Sequence, residues 1–245
     1  MGRNKLKGVV LAGGTGTRLR PLTDVTNKHL LPVGNKSMIV HAIDRLVEAS
    51  INDILLITGP EHMGDMITLL GGGSHFQCDL TYRVQENPLG IANALLLAED
   101  FCGDSKFVVI LGDNIFENDI KQFVDTFIDG QASCCLALTH VAEPNKFGVI
   151  KFVDGIPSRI IEKPKEFVSD QCVVGLYAYD SKVFDVIRML QPSSRNEYEI
   201  TDVNNSFLDN NDVLWVDIRG WWTDAGTMSS YHHANALYNQ QTGMI

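Results

Sequence analysis

The sequence predicts an α/β protein: a mixed, mainly parallel sheet flanked by helices, with a smaller β insertion. Three observations carry that reading. Strand-length apolar runs alternate with amphipathic helical patterns through the first half of the chain. Some of those runs, FVVIL above all, are apolar at every position, as strands buried on both faces are. Past Asp113 strand-like segments follow one another without helices between them, so hairpins or antiparallel additions are expected there.

Taken in order, LKGVVLA reads as the first strand, SMIVHAIDRLVEAS as a helix and DILLITG as the second strand. EHMGDMITLLG follows as helix, DLTYRVQ as strand, GIANALLLAEDF as helix and KFVVILGD as strand. The insertion holds ASCCLALTHV, FGVIKFV, SRIIEK and CVVGLYAYD. Helical patterns return at KVFDVIRML and EITDVNNSFLDN, and the chain closes with the strand VLWVDI, a WW turn and the helix SSYHHANALYNQ. There is no internal repeat, low-complexity tract or long Gly/Ser/Pro linker, so residues 1–245 are expected to form a single domain.

Acidic residues outnumber basic ones, 30 to 20, for a formal charge of −10. That balance argues against nucleic-acid or anionic-membrane partners, which need a basic face. Small phosphates need only a few local cations and stay possible ligands. Cys78, Cys102, Cys134, Cys135 and Cys172 are odd in number, show no zinc spacing and sit in apolar contexts, which points to buried thiols in a reducing compartment. The N-terminal apolar run is too short for a signal peptide, Leu6 breaks the myristoylation pattern, and no segment approaches a membrane span. A cytoplasmic location is the expectation.

Residues 8–19, GVVLAGGTGTRL, set a glycine cluster and then a cation directly after the first strand. Glycine there costs folding entropy and packs nothing, unless a ligand must approach the backbone. Such a turn can aim N–H groups at an anion, and the fork of Arg18 suits phosphate oxygens; an ordinary tight turn is the alternative. The dinucleotide pattern GxGxxG fails at Leu19, which disfavours a dehydrogenase, and Gly16-Thr17-Arg18 is not the GK[ST] of a Walker A loop. Lys28 alone would read as a solvated surface lysine. Asp113 ends a strand where open α/β sheets place ligands, and Asp224 precedes the final helix; each is either a helix cap or a Mg²⁺ ligand on residue type alone. Gln85 ends a strand with an amide able to pair with the N3–H and O4 edge of thymine or uracil.

LAGGTGTRLRPLT followed by NKHLLPVGNKSMI closely resembles the signature of the sugar-1-phosphate nucleotidylyltransferases. LGDNIF, FGVIKF, IIEKP, VVGLYAYD, EITDVNN and WTDAGT extend the likeness almost along the whole chain. Within that family the chain is most similar to the short-form thymidylyltransferases that act on glucose 1-phosphate. The resemblance implies a Rossmann-like sheet, an insertion forming the sugar side of the site, and Mg²⁺ as cofactor. It implies condensation of dTTP with a sugar 1-phosphate, the phosphate oxygen attacking the α-phosphorus in line and pyrophosphate leaving. Such chemistry asks mainly for positioning and charge neutralisation.

The same resemblance distributes roles. Leu11, Ala12, Gly13, Gly14 and Gly16 line the nucleotide pocket, with Gln85 and Gly90 reading the base. Arg18 and Lys28 grip the phosphates, and Asp113 and Asp224 take the metal positions. On the acceptor side Glu162 holds sugar hydroxyls, Lys163 and Arg195 reach the phosphate, and Gly148, Val173, Gly175 and Tyr177 line the sugar pocket. Glu162 and Lys163 are adjacent and would face opposite ways on a regular strand, but Pro164 signals that the strand ends there. Asn196 and Tyr198 stand where glycine and leucine are common, and Val174 where threonine is usual, which leaves the sugar open.

Other features read as structural. His232 and His233 lack a third ligand and suit a helix surface, Trp221 and Trp222 suit anchors of the turn before Asp224, and Ser133-Cys134-Cys135 suits core strand. A non-catalytic nucleotide-sugar-binding subunit is disfavoured because Arg18, Lys28, Asp113, Lys163 and Asp224 are all present. Uridylyl transfer or another hexose 1-phosphate is the nearer alternative. Longer thymidylyltransferases continue past the last helix into a segment that builds a second nucleotide site. This sequence stops at Ile245, so the expectation is a compact homo-oligomer with simple competitive product inhibition.

Overall fold

The computed structural model describes residues 6–243; the MGRNK start weighed above for a leader or lipid anchor, and Ile245, lie outside them. The chain groups into two compact units interleaved in sequence. The first comprises Leu6–Pro88, Ile110–Ile120 and the residues from Arg219 onward; the second comprises Leu89–Val109 and Lys121–Ile218.

The elements run β1 (Lys7–Ala12), β2 (Pro32–Val33), β3 (Lys36–Ser37), α1 (Met38–Glu48), β4 (Asp53–Thr58), α2 (Met63–Leu70) and β5 (Asp79–Val84). Then come α3 (Ile91–Leu96), α4 (Glu99–Cys102), β6 (Phe107–Leu111), β7 (Asn114–Phe116) and α5 (Lys121–Asp129). The insertion supplies β8 (Cys134–His140), β9 (Gly148–Val153), β10 (Ile156–Glu162) and β11 (Gln171–Tyr179). The chain closes with α6 (Lys182–Met189), α7 (Ile200–Asp209), β12 (Val213–Asp217), β13 (Trp222–Asp224) and α8 (Met228–Thr242).

In the first unit β4 lies parallel to both β1 and β5, with Val10 opposite Leu56 and Leu56 opposite Tyr82. Val9, Val10, Ile54, Leu55, Leu56 and Ile57 are all buried, as the uniformly apolar strands required. Helix α1 turns Ile39, Ala42, Ile43 and Leu46 inward, the spacing of one helical face. A satellite core of Leu19, Leu31, Val33, Met38, Ile115, Ala225 and Ala234 joins the glycine loop, β2, β7 and the start of α8.

In the second unit β11 pairs antiparallel with β8 and β9, β9 with β10, and β12 lies parallel to β8. Cys134, Cys135, Leu136, Ala137 and Leu138 of β8 are buried, and all five cysteines are buried free thiols. Phe107 and Phe184 stack with centroids 5.6 Å apart beside Tyr179, whose hydroxyl donates to Asn204 Oδ1 at 2.6 Å. The expected antiparallel additions are present.

Two local expectations need correction. GIANALLLAEDF is two helices, because Leu97 and Ala98 donate three residues back, to Ala94 and Leu95, and tighten the chain out of the α-helical ladder. The WW turn reads differently too: Trp222 opens strand β13, which pairs antiparallel with β7. Asp113 and Asp224 do not cap helices. Strand β7 follows Asp113, and α8 is capped by Thr227, whose side chain and that of Ser230 bond reciprocally to each other's backbone N–H. Helix α5 also went unread. His232 and His233 are exposed on α8, as expected.

Candidate active site

The glycine turn that follows β1 is shaped around the protein's own side chains. A Cβ on Gly13 would fall on the Oε1 of Gln85. One on Gly14 would lie 3.0 Å from Lys28 Cε. Gly16 has φ 68°, and a Cβ there would meet Thr23 at 2.9 Å and Lys28 Cβ at 3.1 Å. Thr23 Oγ1 ties the turn by donating to Gly16 O at 2.7 Å. Arg18 sits in the short 3₁₀ turn that follows, Thr17–Leu19. The buried Gln85 thus sets its amide against the loop at Gly13, and Leu11 and Ala12 are buried at the end of β1.

Lys28 and Asp113 are both buried and form an ion pair, Nζ to Oδ2. Asp113 Oδ1 accepts from Asn114 Nδ2 at 3.0 Å, and Asn114 Oδ1 in turn accepts from the Trp222 indole at 2.8 Å. The β7–β13 ladder sets Asp224 opposite Asn114, and Ala225 N donates to Asp113 O at 2.8 Å. A Cβ on Gly226 would lie 2.8 Å from Asp224 Oδ1, 3.2 Å from Asp113 Oδ2 and 3.2 Å from Arg18 Nη2. Two carboxylates and a guanidinium therefore converge on one glycine.

Their electrostatics follow from that crowding. Burial alone would push the Asp113 carboxyl up, but the Lys28 ammonium, with hydrogen bonds from Lys28 and Asn114, holds it well below the usual carboxylate range. Asp224 goes the other way. Burial first, then the Asp113 charge, push it up, and the Gly226 N–H, 2.6 Å from Oδ1, offsets only part of this. His29, next to Lys28, is pushed down to about 3 by burial foremost and by the Lys28 charge. It stays neutral and its Nδ1–H donates to Asn27 Oδ1 at 2.7 Å.

Asp113, buried, and Asp224, half-buried, are hard oxygen donors whose mutual repulsion a divalent cation would relieve, so the pair fits Mg²⁺. Among the described residues no three His, Cys, Asp or Glu side chains gather for a metal, so further ligands would be substrate phosphates and water.

The second unit brings Gly148, Glu162 and Lys163 together. Gly148 pairs with Glu162 across β9 and β10, and a Cβ there would lie 3.2 Å from Glu162 Oε2. Glu162 Oε2 accepts from Thr201 Oγ1 at 3.0 Å, and its Oε1 meets Lys163 Nζ at 3.3 Å. Lys163 has φ 45°, left-handed backbone that swings its side chain round to that of Glu162. Arg195 is gripped by Glu199 through Nε at 3.2 Å and Nη2 at 2.9 Å. Val173 and Tyr177 flank an irregularity in the β11–β8 register that contains Gly175. Gly90 has φ 100°, and a Cβ there would strike the backbone of Tyr198, whose N–H donates to Leu89 O at 2.8 Å.

Sequence reasoning passed over Asn114, Trp222, Thr201 and Glu199 as site residues. Each lies inside or beside a motif already singled out, LGDNIF, WTDAGT or EITDVNN, but an uncharged or flanking residue carries no signal of its own until its partner is placed.

Residues 7–241 match the Nucleotidyl transferase family. The chain belongs to that family. Nucleotidyl transferase relatives include the low-salt glycan biosynthesis nucleotidyltransferase Agl11 of Haloferax volcanii, 41% identical over 236 residues, covering 95% of this chain and 66% of that one. The glucose-1-phosphate thymidylyltransferase of Streptomyces antibioticus is 38% identical, covering 94% of this chain and 65% of that one. The enzyme of the same description from Neisseria meningitidis is 41% identical over 94% of this chain and 81% of its own. The chain thus spans slightly under two thirds of the first two relatives. Among nucleotidyl transferase structures, a Bacillus anthracis protein provisionally assigned as glucose-1-phosphate thymidylyltransferase superposes with a TM-score of 0.91 at 51% identity, covering 95% of this chain and 94% of that one. A UDP-glucose pyrophosphorylase at 24% identity, TM-score 0.84, shares the fold: mixed α/β with a mainly parallel central sheet flanked by helices. No helix among the described residues is long and apolar enough to cross a membrane.

Proposed function

We propose that the chain acts as one nucleotidyltransferase domain, condensing dTTP with α-D-glucose 1-phosphate to give dTDP-glucose and pyrophosphate, with Mg²⁺. The observation that carries this reading is the convergence of Asp113, Asp224 and Arg18 on Gly226, with Lys28 paired to Asp113, at the glycine turn after β1. Bound Mg²⁺ would neutralise triphosphate charge and favour departure of pyrophosphate.

The chain's own residues do the rest. The glycine turn presents backbone N–H groups to the nucleotide, with Leu11, Ala12, Gly13, Gly14 and Gly16 lining its pocket. Arg18 and Lys28 draw negative charge away from the α-phosphorus as the acceptor oxygen attacks in line. Gln85 pairs with the thymine edge, and Gly90 is assigned to base reading with it. Glu162 holds sugar hydroxyls, Lys163 and Arg195 hold the acceptor phosphate, and Gly148, Val173, Gly175 and Tyr177 line the sugar. Acting as fixed charges, the two cations and the two carboxylates leave no proton to be moved; the attacking phosphate oxygen is already ionised.

A pyrophosphate-release panel tests this, crossing dTTP, UTP, dCTP and dGTP with several hexose 1-phosphates, with Mg²⁺ and with chelator. The fastest release is expected from dTTP with glucose 1-phosphate, UTP is tolerated because its pairing edge is the same, and chelator abolishes turnover. Rejection of dCTP should be strong, since it would leave buried polar groups unpaired; equal turnover of dTTP and dCTP removes Gln85 from its role. One relative is described only by glycan biosynthesis, with no sugar specified. A different hexose 1-phosphate ranking first would keep the reaction and replace the acceptor.

A further inference from the structure

We infer that Asn205 is a positioning residue for the sugar 1-phosphate half of the reaction, acting through the backbone of β10; this rests on the reading above that Glu162 and Lys163 hold the acceptor. Strand β10 is the end strand of its sheet, bonded on one side to β9. On such a strand every second residue turns its N–H and C=O away from the sheet, and those groups are costly where water is excluded. Ile160, 3% exposed, is such a residue. Its N–H donates to Asn205 Oδ1 at 2.8 Å, and Asn205 Nδ2 donates to its C=O at 3.0 Å. A single side-chain amide thereby replaces one rung of the missing neighbouring strand. Asn205 is itself 6% exposed, so neither partner has water to fall back on.

The clasp sits where it controls the acceptor carboxylate. The β10–β9 register shifts between Pro157 and Arg159, so the ladder before Ile160 is interrupted. Only Ile160, Ile161 and Glu162 remain beyond Arg159 before the chain turns at Lys163 with φ 45°. Helix α7 holds this short run twice on one face. Asn205 takes the backbone two residues before Glu162, and Thr201, one turn earlier, takes the Glu162 carboxylate. Removing the amide leaves the end of β10 free to shift outward, carrying Glu162 and Lys163 with it. Asn205 itself does not meet the substrate.

The test compares Asn205→Leu, close in size without the amide, and Asn205→Asp, which still accepts from Ile160 N–H but sets an anion against Ile160 O. In both variants the KM for glucose 1-phosphate rises about tenfold, the size expected for losing one buried hydrogen-bonded pair. Its calorimetric Kd rises in parallel, while the dTTP KM and kcat at saturation stay unchanged. Wild-type protein gives an independent reading. If acceptor binds only the clasped strand, saturating glucose 1-phosphate slows amide exchange at Ile160, and dTTP alone does not. The inference is overturned if both KM values rise together, if only thermal stability falls, or if Ile160 exchange ignores the acceptor; should the variants fail to fold, the exchange result decides. Wild-type protein that releases no pyrophosphate with any substrate pair overturns the functional reading itself, and this inference with it.

Discussion

Asp113 is the residue on which most of the charge accounting turns. Lys28 stabilises it and Asp224 opposes it; Asp113 and Lys28 are buried and Asp224 is half-buried. Breaking a buried pair from one side leaves an uncompensated charge, at a cost of about 3–5 kcal/mol. Lys28→Met should therefore unfold at markedly lower urea than wild type, and adding Asp113→Asn should restore part of the loss; additive losses would show that the two do not interact. Asp113→Asn and Asp224→Asn should each fold and lose turnover on the order of a hundredfold, about 3 kcal/mol of transition-state stabilisation. Each should also weaken Mn²⁺ binding followed by electron paramagnetic resonance, a readout independent of turnover. Gly13→Ala makes a separate point. Its new Cβ would displace Gln85, so the dTTP KM should rise while the glucose 1-phosphate KM does not.

At the scale of elements, legibility tracked how local the cause was. The glycine turn could be read because three glycines in four positions before an arginine are informative without a partner. Strand β7, only Asn-Ile-Phe, could not: it is a strand because Trp222–Asp224, about a hundred residues later, pairs with it. Helix α5 hides for another reason, since its inward face is only Phe123, Val124 and Phe127 in nine residues. Glu162 and Lys163 illustrate the limit of a period-two argument. Their adjacency predicted opposite faces on a regular strand, and the left-handed backbone at Lys163 reunites them. The two elements should also separate kinetically. Lys163→Ala should chiefly raise the KM for sugar 1-phosphate, whereas Arg18→Ala should lower kcat with dTTP already bound. A Lys163→Ala enzyme impaired only in its dTTP KM would contradict the assignment of the end of β10.

Across the whole molecule, the apolar strands that announced the fold also bury groups that titrate or react. His29 and His41 are held below the ordinary histidine pKa by burial, His29 at about 3, with the His41 Nε2–H donating to Val33 O at 2.9 Å. Below about pH 6.5 the unfolded chain therefore takes up protons that the folded chain refuses. Stability should be flat from there up to about pH 9, where the unfolded thiols begin to ionise, and fall on acidification, by up to about 1.4 kcal/mol per pH unit for each histidine. His41→Gln should flatten the slope of urea midpoints against pH; an unchanged slope removes His41 from the account. The buried thiols of Cys135 and Cys172, pushed up to about 12 by burial, should react with a thiol-specific reagent only as fast as the protein opens.

The central claim is that one anion-binding turn and its paired carboxylates direct a sugar phosphate oxygen onto the α-phosphorus of dTTP. Phosphorus-31 NMR of the protein with dTTP, glucose 1-phosphate and Mg²⁺ tests it most directly, because each phosphorus reports the bond it has entered. Coupled diphosphate doublets of dTDP-glucose should grow in step with the pyrophosphate singlet as the glucose 1-phosphate signal declines. Formation of dTMP with pyrophosphate while glucose 1-phosphate stays untouched would mean that water is the acceptor, and dTDP with inorganic phosphate would mean attack at the γ-phosphorus. Either spectrum contradicts the account.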